Sequence, residues 1–348
     1  MARRSRGDGP PAAHLALFEA TALNARGVKE QLVSRAFPTA SVRLYTSRDD
    51  PESNLVAEFG SEAMLVTSPD IDGLGPIDIA FLCGTREEGA QYLGWAERKG
   101  FLAIDLSGAS RGSDGIPTIN VAVNPGAIPM SSGVVAAPHP IAQFLSTLLA
   151  PLARSFAPVR ATAVVLQPVS ECGEGGIEEL YQQTIGLLNF REVPDTMFGR
   201  QLAFNLLPSP IFAGQQVAGG ATPLEVEREV NRMLGPDVQL TIEILMVPVF
   251  HCHSAVLHLE LHGGPGRERV EAALREAEGI RLPGARESIT PAERVGKPGV
   301  AVSGIRPTGR DGAHWLWAVT DNLQSGSALN AVRIAEIILA RRGTARTH

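Results

Sequence analysis

The stretch His14-Leu-Ala-Leu-Phe-Glu-Ala20 opens the pattern that decides the fold of this chain. This short apolar run leads into a turn, and apolar residues then recur at helical spacing from Val28 to Phe37. A second strand-like run follows from Val42 to Thr46. Two strands joined by a helix form a βαβ unit, in which the strands are parallel and the crossover is right-handed.

The same alternation continues beyond this unit. Asp78 to Cys83 is a predicted strand, Arg86 to Lys99 an amphipathic helix, and Leu102 to Leu106 another strand. Repeated βα units favour a doubly wound parallel sheet. The fold class is therefore α/β, with a Rossmann-like domain over residues 14–138.

After residue 138 the pattern changes to that of an α+β domain, predicted over residues 139–324. Its elements are a long helix (Ile141 to Phe156), a strand (Arg160 to Gln167), a helix (Ile177 to Asn189) and β-rich sequence (Gln239 to Leu261). A last helix, Ser325 to Arg342, has apolar residues at helical spacing. We expect it to pack back on the first domain and complete it.

The composition of the chain excludes some classes of function. The 348 residues are 20% charged and 44% hydrophobic, with a formal net charge of -6, which gives no basic footprint for nucleic acid. Cys83, Cys172 and Cys252 lack the paired spacing of a zinc site or a disulfide framework. We predict a cytoplasmic protein without a membrane span, with residues 1–13 as a disordered tail.

The turn Phe18-Glu-Ala-Thr-Ala-Leu-Asn-Ala-Arg-Gly27 stands where dinucleotide-binding proteins carry a glycine-rich loop. Only Gly27 remains of the glycines, and Glu19 would set a carboxylate against a pyrophosphate. The turn has either lost its ligand or kept Thr21 and Gly27 as cofactor contacts. Ser47 and Arg48 are candidates for a ribose 2′-phosphate, although a loop arginine is also commonly only solvated.

Five stretches, taken together, resemble the aspartate-semialdehyde dehydrogenase family over roughly residues 14 to 342. They are Asp105-Leu-Ser-Gly-Ala-Ser-Arg111, Gln167-Pro-Val-Ser-Glu-Cys-Gly-Glu-Gly-Gly-Ile-Glu-Glu-Leu180, Gln201-Leu-Ala-Phe-Asn-Leu-Leu207, Pro248-Val-Phe-His-Cys-His-Ser254 and Asp321-Asn-Leu-Gln-Ser-Gly-Ser-Ala-Leu-Asn330. The resemblance implies an NAD(P)-binding domain and a central domain that forms a homodimer. It also implies reduction of an acyl phosphate, usually aspartyl phosphate, by NADPH through a thioester.

The resemblance assigns roles to residues one by one. His253 falls on the acid/base histidine, which could also be a structural core histidine, Gln167 on the glutamine that orients the thioester, and Arg111 on a phosphate-binding arginine. The nicotinamide would lie near three further positions, Gly173, Asn322 and Gly326.

Three departures besides the glycine-poor turn bear on activity. Where the family has its Asn-Cys nucleophile pair this chain has His139 and Pro140, and Met246 stands at the position of the substrate-carboxylate arginine. The acidic and basic pair with which the family begins the helix at Glu225 is also displaced. Proline offers neither a nucleophile nor an N–H. Cys172 is either a relocated nucleophile or an inert thiol, and Glu171 beside it should raise its pKa, which disfavours the thiolate.

These observations leave three functions open. The first is a catalytically degenerate, Usg-type paralogue that acts as a binding or regulatory dimer. The second is an active NAD(P)-dependent oxidoreductase on another substrate. The third is a hydrolase in which His253 activates water and Arg111 holds a small anionic ligand such as phosphate.

Overall fold

The computed structural model describes residues 12–47, 55–129, 133–208, 221–284, 287, 289–323 and 326–345, the last three without their side chains. Two seven-stranded sheets organise this part of the chain. Each sheet is packed against helices, and none of the described helices is long and apolar enough to cross a membrane.

The first sheet has the order β3-β4-β2-β1-β5-β6-β7, and all neighbours are parallel except the β3–β4 pair. This confirms the Rossmann-like prediction. Its strands are β1 (Ala13–Phe18), β2 (Thr39–Tyr45), β3 (Val56–Phe59), β4 (Glu62–Thr67), β5 (Ile79–Leu82), β6 (Leu102–Asp105) and β7 (Gly133–Ala136).

Three helices cover this sheet: α1 (Leu23–Ser34), α2 (Arg86–Lys99) and α8 (Ser327–Ala345). Residues of α1 and α8 share one apolar core with the sheet, while Tyr92 and Trp95 of α2 pack with Phe18 on the other face. Gly27 lies where α1 meets α8, because an added Cβ would stand 3.0 Å from the Cβ of Ala328. The last helix therefore completes the first domain, and Gly27 permits its close approach.

The second sheet is mixed and has the order β12-β13-β14-β11-β8-β10-β9. One face of it forms the largest apolar core with the helices α3, α5 and α6. The elements are α3 (Pro140–Phe156), β8 (Val159–Gln167), α4 (Gly173–Leu188), β9 (Leu207–Pro208), α5 (Pro223–Leu234), β10 (Val238–Met246), β11 (His253–Leu261), α6 (Arg267–Arg275), β12 (Ile280–Arg281), α7 (Pro291–Arg294), β13 (Val300–Pro307) and β14 (Ala313–Thr320).

Strand register brings the predicted site residues to one end of this sheet. Strand β8 ends at Gln167 and the antiparallel β11 begins at His253, and the residues next to them, Leu166 and Ser254, pair directly. Across β11, His253 pairs with Thr320 at the end of β14. The loops that follow these strand ends, including the one with Asn322, therefore converge on His253.

Candidate functional site

His139 and Pro140 together start helix α3. The Nδ1 atom of His139 accepts a hydrogen bond from the backbone N–H of Ile141 at 3.2 Å and caps the helix. Pro140 occupies the first helical position, where its fixed φ is suited and no N–H is needed. The pair that replaces the expected Asn-Cys is thus a sound helix start, one residue earlier than the predicted Ile141.

Glu171 lies between two buried imidazoles. Its Oε1 atom is 3.4 Å from Nε2 of His139, and its Oε2 atom is 3.5 Å from Nε2 of His253. Because Nδ1 of His139 accepts a hydrogen bond, the ring proton of the neutral side chain lies on Nε2, facing Glu171. Glu171 comes from the single-turn segment Val169–Cys172 that follows β8.

Burial shifts the protonation of this cluster. The pKa of Glu171 is raised to about 7 by desolvation, against the opposing charge of Arg111. Desolvation also lowers the pKa of His253 to about 3, so this imidazole is neutral at physiological pH. Neither ring nitrogen of His253 makes a hydrogen bond to a described residue. The centre therefore holds a neutral imidazole beside a carboxyl that exchanges its proton near pH 7.

Arg111 is held by the protein itself. Its Nε donates to the carbonyl of Ala137 at 3.1 Å and its Nη2 to that of Leu106 at 3.4 Å. Its Nε lies 4.0 Å from the carboxyl of Glu229 on α5. Glu229 in turn accepts the backbone N–H of His139, at 3.1 and 3.2 Å to its two oxygens.

This contact ties Arg111 to the start of helix α3. The pKa of Glu229 is raised by burial, while Arg111 and the His139 N–H oppose the rise. Arg111 therefore faces two buried carboxyls, those of Glu229 and Glu171.

The loops around His253 are tied together by Asn322. Its side-chain oxygen accepts the backbone N–H of Cys252 at 3.1 Å, and its amide donates to Oγ of Ser170 at 3.0 Å. Gly326 packs tightly against Asn322, since an added Cβ would clash with the carbonyl of Asn322. Gln167 is buried close by, and its Nε2 has no hydrogen-bond partner among the described residues.

The turn after β1 differs from its prediction at Glu19. Its carboxylate does not face a pyrophosphate site, because the side chain is buried and accepts three hydrogen bonds. The donors are the Tyr92 hydroxyl at 2.6 Å, the Ser47 N–H at 2.9 Å and the Thr46 hydroxyl at 3.0 Å. These contacts hold Glu19 in the left-handed region at φ 55°.

The other proposed cofactor positions lie on several different elements. Thr21 is half-buried in the turn, Gly27 is used for helix packing, and Gly173 begins α4 at φ 73°. The N–H of Ser47 is taken by Glu19, and Arg48 lies outside the described residues. Arg26 of α1 pairs with Glu174 of α4 at 3.2 Å, which links the first domain to the loop beside His253.

The described cysteines are buried thiols. Burial first, and then Glu171 and Glu179, raise the pKa of Cys172 to about 12, which confirms the predicted direction. Alternation along a strand would turn the neighbouring Cys252 and His253 to opposite faces. Cys252 instead precedes β11 at φ 77°, and burial raises its pKa to about 12. Met246 is buried in an apolar cluster, where an anion would find no partner.

Sequence reasoning missed the roles of Glu171, Glu229 and Tyr92. The available signal for Glu171 was that its loop, Ser170-Glu-Cys-Gly173, has no cationic residue close to it in the sequence. No group of three His, Cys, Asp or Glu within the described ranges could hold a metal ion.

Comparison with known proteins places this geometry in a family. The model of the semialdehyde dehydrogenase dimerisation domain matches residues 149–325. The aspartate-semialdehyde dehydrogenase of Rickettsia bellii is 30% identical over 94% of this chain and 97% of its own length. The USG-1 protein homolog of Azotobacter vinelandii is also 30% identical, over 94% of this chain and 98% of its own.

A solved structure agrees with these relatives. The probable aspartate-semialdehyde dehydrogenase of Pseudomonas aeruginosa superposes with a TM-score of 0.85 at 27% identity, covering 94% of this chain and 99% of that one. The similarity spans both sheets and the loops that meet at His253. The chain belongs to the aspartate-semialdehyde dehydrogenase family.

Proposed function

We propose that this chain is a Usg-type family member that lacks the thiol-dependent dehydrogenase activity and acts as a dimeric binding or regulatory protein. The observation that carries the proposal is the cluster in which Glu171 fills the space between His139 and His253. Thioester chemistry needs a thiolate beside the acid/base histidine. Here Pro140 offers no thiol, and a carboxyl already contacts that histidine.

Cofactor binding is proposed to be weak for a related reason. NADP or NAD is the cofactor that the family uses, and its phosphates need free N–H donors at the first turn. In this chain the N–H of Ser47, the candidate donor to a ribose 2′-phosphate after β2, donates to Glu19, so an internal carboxylate takes a donor that such a phosphate would need. Alanine at position 22 and asparagine at position 24 stand in the same turn, with no glycine to admit a close phosphate.

A homodimer is supported by exposed apolar side chains of the dimerisation domain. Monomeric proteins seldom leave such clusters in water, so a second copy of the chain is the natural cover. They include Tyr181, Ile185, Leu188, Phe190, Phe204 and Leu206, of which Phe190 is 99% exposed.

The test is an assay for phosphate-dependent oxidation of aspartate semialdehyde with NADP. The Rickettsia bellii enzyme, assayed in parallel, is the positive control. We expect no turnover from this chain, nor from the His139→Asn, Pro140→Cys double variant, because Glu171 still contacts His253 and Met246 still excludes a carboxylate. Turnover that His253→Ala abolishes would contradict the proposal, and activity in the double variant would show that only the thiol is missing.

A second candidate is an active NAD(P)-dependent oxidoreductase that uses no thiol. The observation that favours it is the Glu171 carboxyl, whose pKa of about 7 suits proton transfer at neutral pH. Such an enzyme would lose its turnover in Glu171→Gln and keep it in Cys172→Ala. A screen of carbonyl substrates with NADPH and NADH, read at the nicotinamide absorbance, separates the two candidates.

A further inference from the structure

A pocket of about 240 Å³ lies at the β12 edge of the second sheet, away from the cluster around Glu171. It opens between β12, the short helix α7 and the start of β13. Cations outnumber acids on its walls. The lining residues are Arg281, Pro283, Glu287, Ile289, Glu293, Arg294, Lys297 and Ala301.

Arg294 is a buried cation that the carboxylates of Asp321 and Glu287 influence only from beyond ion-pair distance. Only 4% of the residue is exposed, and no carboxylate of the described residues lies within salt-bridge distance of it. One nitrogen, Nη2, donates to the carbonyls of Lys297, Pro298 and Gly299 at 2.7 to 3.1 Å. Nε has no hydrogen-bond partner in the described chain. Burial lowers the pKa of Arg294 in spite of these carboxylates, so an anion in direct contact with the guanidinium would stabilise this side chain.

The acidic side chains of the pocket are already engaged. Glu287 pairs with Arg281 at 2.8 Å. Glu293 accepts the backbone N–H and the hydroxyl of Thr290 at 3.1 and 2.9 Å, in the cap of α7. Lys297 is exposed at the pocket and forms no ion pair with a described residue. The walls therefore carry three cations (Arg281, Arg294 and Lys297) against two carboxylates (Glu287 and Glu293), a net positive charge.

The pocket is separate from the centre at His253 but connected to it. Val300 pairs with Thr320, and Thr320 pairs with His253, so two strand spacings, about 10 Å, separate β13 from β11. The N–H of Gly296, the residue before Lys297 of the pocket wall, donates to Asp321 at 2.6 Å. Asp321 precedes Asn322, which binds the loops around His253.

We propose that this pocket binds a small phosphate-class anion, inorganic phosphate or a phosphomonoester, with Arg294 and Lys297 as its cationic ligands. The guanidinium is fixed by three carbonyls, so little side-chain entropy is lost when an anion binds. A phosphate offers Arg294 and Lys297 more acceptor oxygens than a monocarboxylate does. Arg111, the phosphate arginine of the family resemblance, lies in the first domain and takes no part.

Titration calorimetry of the full chain with inorganic phosphate tests the proposal. We expect saturable binding with a dissociation constant of about 1 mM or tighter, and binding about tenfold weaker in Lys297→Ala. Lys297 is exposed, so this variant should fold normally. Arg310→Ala, which removes a distant and exposed cation, is the matched control and should bind as the parent does.

Two further arms make the result decisive. Arg111→Leu should leave phosphate binding unchanged if the pocket is the site, while loss of binding in that variant alone would assign the phosphate to the centre at His253. Glycerol phosphate in place of phosphate distinguishes a phosphomonoester from the free ion as the preferred ligand. Absence of saturable binding by both anions, or equal binding by the parent and Lys297→Ala, would overturn the proposal. None of these outcomes depends on dehydrogenase activity.

Discussion

Glu171→Gln replaces the carboxyl between His139 and His253 with a neutral amide of the same shape. The amide oxygen can accept from Nε2 of His139, and the amide nitrogen can donate to a neutral His253. The substitution therefore keeps the packing and removes only the ability to ionise. We expect the variant to be more stable than the parent above pH 7, because it removes a buried charge.

The magnitude follows from the pKa of Glu171, about 7 in the folded protein against an ordinary 4.5. Below pH 4.5 both the folded and the unfolded chain carry the proton, so ionisation contributes nothing. Between pH 4.5 and 7 only the unfolded chain releases it, and the parent loses stability as the pH rises. The pKa difference corresponds to about 3 kcal/mol, all of it lost above pH 7.

The assay is urea unfolding of both proteins between pH 5 and 8.5, followed by tryptophan fluorescence. His253, whose folded pKa is about 3, contributes stability that is lost as the pH falls below its ordinary 6.5. This opposite slope is common to both proteins and cancels in their difference. The free energy of unfolding of the variant relative to the parent should thus rise by about 3 kcal/mol with pH.

Glu179→Gln is the matched control. Glu179 is also buried, but it accepts the backbone N–H groups of Met197 and Phe198 at 2.7 and 3.2 Å. Glutamine keeps only one acceptor oxygen, so its NH2 group faces the other backbone N–H, which should destabilise the protein by about 2 kcal/mol at pH 8. A Glu171→Gln variant that is less stable than the parent at pH 8, or a difference that does not change with pH, would refute the reasoning.

Three further predictions concern the first domain and the assembly. Glu19→Gly should lower the free energy of unfolding by about 2 to 4 kcal/mol, because three donors lose their acceptor while relief of the positive φ returns about 1 kcal/mol. Tyr92→Phe should lower the free energy of unfolding by less, and a glycine variant as stable as the parent would contradict this prediction. Gly27→Ala should lower the thermal transition, since its Cβ would press on Ala328, whereas Gly94→Ala, with open space around its Cβ, should not. Light scattering at micromolar concentration should give the mass of a dimer, and Leu188→Asp should shift it toward the monomer.

The elements predicted correctly from the sequence are those whose buried residues follow a regular pattern. Strands β1, β5 and β6 are buried almost throughout, so they appear in the sequence as continuous apolar runs. The β3–β4 hairpin was missed because its residues are mostly exposed or half-buried and leave no apolar period. Helix α1 begins at Leu23, before the predicted Val28, because no side chain caps its start and marks it in the sequence.

Only those site residues that lie at strand ends or in recognisable motifs were predicted from the sequence. Gln167 and His253 were named from the family resemblance, and the β8–β11 register brings them together. The contact of Glu171 with His139 joins residues 32 positions apart through two loops, and no local pattern encodes such a contact. The inward turn of Glu19 depends likewise on Tyr92, which lies 73 positions away.

Two of the buried carboxyls, those of Glu19 and Glu171, are held in different ways, and the difference indicates where function lies. Glu19 is surrounded by three hydrogen-bond donors at 2.6 to 3.0 Å, which is how a structural carboxylate is stabilised. Glu171 has imidazole nitrogens at 3.4 and 3.5 Å, so burial is poorly offset and its pKa rises. A fold tolerates such an expensive group mainly where it serves binding or proton transfer. Substitution of Glu171 therefore distinguishes a family member without catalytic activity from one that catalyses a different reaction.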